Sequence, residues 1–262
     1  MNRPVTLFTG QWTDLSLEQV AKLASKWGYD GLEIACSGEH LDVHRAAVDE
    51  KYVAERLSML EKYNLKVYAI SNHLKGQAVC DNPIDFRHRD IVGSKVWGDG
   101  EPEGVRLRAI EEMKLTAIAA RKLGVDTVVG FTGSSIWQYV AMFPPVSKDV
   151  IEAGYEDFAK RWNPIMDVFD SEGVKFALEV HPSEIAYDYY TTVRALQAID
   201  NRPAFGLNWD PSHMHWQDID PVNFILDFAD RIYHVDCKDT VIRPKDGRTG
   251  RLGSHLGWDD PR

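Results

Sequence analysis

The chain repeats one kind of joint four times. "KWGYDGLEI", "KYNLKVYAI", "KLGVDTVVG" and "SEGVKFALE" each place a Gly or Asn where a helix needs a left-handed end, followed at once by a short apolar run. Such runs, rich in Val, Ile and Leu, fall at residues 5–8, 31–35, 66–71, 127–131, 175–180, 204–209 and 231–236. Each is short enough for a strand buried on both faces. Between them the spacing turns helical. Leu17, Val20, Ala21, Ala24 and Trp27 follow the i, i+3, i+4, i+7 pattern, and Ile110, Met113, Ala117, Ala120 and Leu123 repeat it. Ser16, with Glu18 and Gln19 behind it, reads as a helix start, and Asp220 as the cap before Pro221. Strands alternating with helices predict parallel βαβ units.

Loop lengths give the fold its polarity. Helix-to-strand joints are tight, whereas strand-to-helix joints are long, above all residues 72–104 and 132–153. Long loops after strand C-termini are the pattern of an α/β, (β/α)8-type TIM barrel, whose C-terminal face carries the chemistry. We expect one domain over residues 1–262, with about seven strands rather than eight. After the seventh comes only "RPKDGRTGRLGSHLGWDDPR", which has neither helical nor strand period. The barrel is therefore expected to be incomplete, its last βα unit missing.

Composition narrows the function. A formal net charge of -10 disfavours a nucleic-acid partner, because phosphate binding draws on clustered Lys and Arg. No apolar run approaches membrane-spanning length and no signal-peptide core opens the chain, so a cytoplasmic protein without a membrane partner is expected. Cys36, Cys80 and Cys237 are odd in number and widely spaced, which fits reduced thiols.

Polar residues gather where the apolar runs stop: Glu33, His73, Glu179 and His181, Asp210 and His213, then His234, Asp236 and Lys238. Glu179, Asp210 and His234 end three consecutive, neighbouring strands. Two carboxylates and an imidazole suit a divalent cation such as Mn, Mg, Co or Zn. Taken singly, each has another reading: Asp210 before Pro211 as a helix cap, Glu179 as a carboxylate paired with a buried cation, His234 as a hydrogen-bonded core histidine. Their equivalent positions on successive strands favour a site. Lys238 reads equally as a site residue or as a surface partner of Asp239. Trp12 and Trp137 are candidates for stacking on the ring of a ligand or for simple packing, and Arg87, His88 and Arg89 lie in a long loop that reads chiefly as solvent-facing charge.

The stretch "GLNWDPSHMHWQDIDPVNFILDFADRIYHVDCKDT", with "GYDGLEI" and "ALEVHP" upstream, resembles the sugar phosphate isomerase/epimerase family, the xylose isomerase-like barrels, in which D-P-S-H and H-x-x-x-K-D recur in this order. The resemblance covers essentially the whole chain. It implies that Glu179 is a metal ligand and an acid/base carboxylate, that Asp210 and His234 are further ligands, and that His213 contacts substrate oxygens. His181, Lys238 and His73 are the other substrate-binding candidates. The family's fourth ligand, a Glu on the eighth strand, has no counterpart before Arg262, so a C-terminally truncated form of a longer protein is expected.

These readings converge on a divalent-metal-dependent isomerase or epimerase acting on a ketose or keto-sugar derivative, a small-molecule partner, through an enediolate; a homo-oligomer is compatible with them. Three alternatives remain open from sequence: a keto-sugar lyase or dehydratase of the same family, an apurinic-site endonuclease using His73, His181 and His215, and a non-catalytic sugar-binding barrel.

Overall fold

A computed structural model describes residues 3–140, 143–242, 248, 250 and 251. Seven parallel strands form one sheet in chain order: β1 (Thr6–Phe8), β2 (Gly31–Ala35), β3 (Lys66–Ser71), β4 (Thr127–Gly130), β5 (Lys175–Glu179), β6 (Phe205–Trp209) and β7 (Ile232–Val235). Side chains of β2 and β7 meet across its interior, so the sheet is curled into an incomplete TIM barrel. Among the described residues no pairing joins β7 to β1. The aperiodic tail from Arg243 onward lies outside the described residues except at positions 248, 250 and 251; Arg251 pairs with Asp218.

The four repeated joints are built as their chemistry requires. Gly28, Asn64, Gly124 and Gly173 have φ of 86°, 56°, 73° and 65°, the left-handed values that end a helix and turn the chain into the next strand. The helix Leu17–Trp27 opens with a capping box, in which Ser16 Oγ accepts from the Gln19 amide and Gln19 Oε1 accepts from the Ser16 amide. Its apolar stripe is buried except at Trp27, which is half exposed and packs instead on Trp12, ring centroids 5.6 Å apart. The later helix is longer than its apolar spacing suggests. It runs Pro102–Lys122, started by Glu101 as cap and Pro102 in the first turn.

The two long loops also hold helices. His73–Gln77 and Phe86–Trp97 lie in the first, and the helix Lys148–Glu172 begins within the second. Phe86–Trp97 escaped the periodicity because Gly93 (φ 77°, ψ 163°) breaks it into two short pieces, burying only His88, Val92 and Val96.

Outside the sheet the main core packs Phe158, Trp162 and Phe169 against Phe176 and Phe205 of β5 and β6. A smaller group, Ala69, Val129 and Ala177 with Tyr233 against it, forms a separate cluster on β3, β4, β5 and β7. Gly206 belongs to that arrangement. A Cβ there would stand 2.2 Å from the Tyr233 ring and 2.4 Å from the Arg231 carbonyl oxygen. No helix of the described residues is long and apolar enough to cross a membrane.

Candidate active site

The strand ends converge on a cavity of about 920 Å³, lined by residues that include His73, Glu179, His181, His213, Asp236 and Lys238. Two register shifts aim its polar residues. One falls between Leu32 and Glu33 on β2, the other between Leu207 and Asn208 on β6, each at the point where an apolar strand first presents a polar side chain inward.

The first group of side chains is Glu179, Asp210 and His213, whose candidate ligand atoms all lie within 4.8 Å of one another. Glu179 is buried at the end of β5, with Oε2 3.0 Å from His73 Nε2 and Oε1 3.2 Å from His213 Nε2. Burial alone would raise its pKa, but the two imidazoles and Lys238 more than offset this and hold the carboxyl well below its ordinary value. Asp210 is fully buried and caps the short helix Pro211–His215, Oδ1 accepting from the Ser212 amide at 2.8 Å. Cap and site are therefore two oxygens of one carboxylate. Asp210 Oδ2 lies 2.5 Å from Lys238 Nζ and 3.3 Å from His213 Nε2, yet no donor meets it with hydrogen-bond geometry.

Lys238 turns inward rather than pairing with Asp239. Its ammonium lies 2.8 Å from His213 Nε2 and stands 3.8 Å from Glu179 Oε1. His181 packs edge-on to His213, centroids 4.1 Å apart. Burial and the charge of His213 push the His181 pKa down to about 4, so this imidazole is neutral at physiological pH.

His234 sits in a second group, with Glu33 and Asp236. Its Nε2 faces Glu33 Oε2 at 3.1 Å and its Nδ1 bonds Asn208 Oδ1 at 2.9 Å, so both ring nitrogens are engaged by protein. The Asn208 amide nitrogen in turn donates to Asp236 Oδ2 at 2.7 Å, and Ser71 Oγ donates to Glu33 Oε1 at 2.6 Å. Burial disfavours the charged forms of both Glu33 and His234. Their mutual contact prevails, lowering the Glu33 pKa and raising that of His234. Burial, then the charge of Glu33, pushes the Asp236 pKa up to about 6.

Thus Glu179, Asp210, His213, His181, His73 and Lys238 come together, whereas His234 joins a neighbouring group. Asn208 was missed by sequence reasoning. Its signal was there, a polar residue inside the apolar "FGLNW" that burial obliges to find partners. Of the two tryptophans, Trp12 is not among the cavity residues, and Trp137 lines a neighbouring lobe. Arg87 is tied to Asp85, and His88 is buried against Asp81.

Two buried carboxylates ringed by imidazoles at the C-terminal ends of parallel strands place this chain in a class that wider comparison identifies. Residues 21–261 match the model of the xylose isomerase-like TIM barrels, and the chain belongs to that family. The uncharacterized protein YfiH of Bacillus subtilis is 28% identical over 87% of this chain and 70% of its own. The fold is similar to that of the 3-keto-D-glucoside 4-epimerase YcjR of E. coli in its apo form, at TM-score 0.64 and 14% identity, over 89% of this chain and 78% of that one. It is also similar to the IOLI protein with a bound zinc atom, at TM-score 0.59 and 20% identity, over 91% and 74%.

Proposed function

We propose that this protein is a divalent-metal-dependent isomerase or epimerase of a ketose or keto-sugar derivative. The observation that carries the reading is the Glu179–Asp210–His213 group, of which Glu179 and His213 line the cavity, with Asp210 Oδ2 buried behind them and met by no donor in hydrogen-bond geometry. That oxygen needs a cationic partner, the place that Lys238 Nζ takes at 2.5 Å and that a divalent ion would contest. Glu179 and Asp210 would hold the metal. Of the two imidazoles, His213 faces their oxygens directly, while His234, the ligand implied by the family pattern, joins only by releasing Glu33 or Asn208. When bound, the metal would polarise the carbonyl and adjacent hydroxyl of the sugar.

The chain's own groups do the rest. Glu179, kept ionised by its neighbours, takes the proton from the carbon beside the carbonyl. Lys238 and His213 face the negative charge that develops on oxygen. His181, neutral and wedged against His213 and Phe131, orients a hydroxyl. Returning the proton to the neighbouring carbon gives isomerisation, and returning it to the opposite face gives epimerisation. The YcjR and zinc-bound IOLI resemblances support the substrate class and the metal. Incubating the protein with a divalent-ion panel and a set of ketoses in deuterated water tests this: deuterium should enter at the carbon next to the carbonyl. Unlabelled sugar under every condition overturns it.

A further inference from the structure

The cavity does not end above Glu179. Past Phe131, Leu74 and Ile91, which line both spaces, it adjoins a second lobe of about 540 Å³. That lobe is walled by described residues of the segments that follow β3, β4 and β5, away from the sheet's edge strands β1 and β7. Pockets of 300–1,000 Å³ each suffice for a complete small ligand. A single hexose over Glu179 leaves the lobe unfilled.

Its chemistry is specific. Trp137 lies on one side, braced edge-to-face by Tyr187 at 5.3 Å, and Phe131 lies on the side of the reacting groups, against His73 and His181. Aromatic walls with Gln138, Asn82 and Ser183 between them match the alternating C–H faces and hydroxyl edges of a sugar ring. Ser183 is held at φ 92°, a strained conformation for a residue with a side chain, at the wall of the lobe. The lobe's charges are spoken for: Arg87 forms a fork with Asp85, and Asp81 receives His88, Gln77 and the Ser134 amide. Such a lining suits a neutral polyol rather than a phosphate.

Resting on the function proposed above, we infer that the substrate is a neutral glycoside: one sugar ring reacts over Glu179, and a second, glycosidically linked ring occupies the lobe beside Trp137. Calorimetric titration of the metal-loaded protein with D-fructose, D-fructose 6-phosphate and the ketodisaccharides maltulose, turanose and lactulose tests this. At least one ketodisaccharide should bind about tenfold more tightly than fructose, the scale of one aromatic stacking contact. In Trp137→Ala that ratio should fall close to one, and in Trp137→Phe, which keeps a stacking face, most of it should return. Equal affinities for fructose and the disaccharides, tightest binding of the phosphate, or an unchanged ratio in Trp137→Ala overturns the inference while leaving the isomerase reading intact. Binding of none of these sugars removes both.

Discussion

Glu33 and His234 approach to 3.1 Å although they belong to β2 and β7, near opposite ends of the sheet's strand order. The contact can form only because the sheet curls, and it ties the two halves of the curl together through a buried pair. Replacing Glu33 with Gln should leave His234 without its anion. Buried pairs broken on one side cost about 3–5 kcal/mol, less here because the imidazole can shed its proton. We expect a loss of about 2 kcal/mol in urea denaturation and a fall in the His234 pKa followed by NMR. An unchanged His234 titration would show that the contact is not what holds its charge.

Asp210 separates stability from metal binding. Asn at this position still caps the helix through its side-chain oxygen but presents an amide where the carboxylate oxygen facing Lys238 was. Asp210→Asn should keep denaturant stability within about 1 kcal/mol while weakening divalent-ion binding by about 10–100-fold, read by calorimetry. Equal ion affinity in both proteins would remove Asp210 from the ligand set.

Lys238 predicts the opposite sign. Its ammonium occupies the space that a cation would share with Glu179, Asp210 and His213. A neutral Lys238→Met should bind the ion more tightly, by about tenfold given that the side chain is half exposed and its charge is screened. Weaker binding would assign Lys238 to holding the ligands in place.

His181 sets a pH dependence. Its folded pKa, about 4, lies below the ordinary 6.5, so between those values the unfolded chain binds the extra proton. Its contribution is therefore complete above pH 6.5 and is lost as pH falls through about 4, on the order of 3 kcal/mol in all. Urea denaturation in chelator across this window should show stability rising with pH, with a shallower slope in His181→Gln. Parallel slopes would point to other groups.

Gly206→Ala tests the strand packing. The added methyl would press on the Tyr233 ring and the Arg231 carbonyl, so we expect a loss of about 1–3 kcal/mol by thermal denaturation. A wild-type melting curve would mean that Tyr233 swings away without cost.

Much of this was legible in the sequence because its signals are local. Gly28, Asn64, Gly124 and Gly173 mark helix ends by backbone preference alone, and the seven apolar runs are the seven strands. The residues Glu179, Asp210, His213 and Lys238 come from neighbouring strands, so chain order predicts their meeting. Which group claims His234 depends on the curl of the whole sheet and on the shift between Leu207 and Asn208, neither of which leaves a local trace. The helix Phe86–Trp97 was hidden for another reason, since the break at Gly93 leaves too few turns for a period to register.

Asn208 stands between the Glu33–His234 pair and Asp236, accepting from one and donating to the other. A carboxamide neither takes up nor gives up a proton near neutral pH. It therefore interrupts any proton wire between them. The Glu33–His234 pair is insulated from exchange with Asp236 through this route and serves there as a fixed dipole.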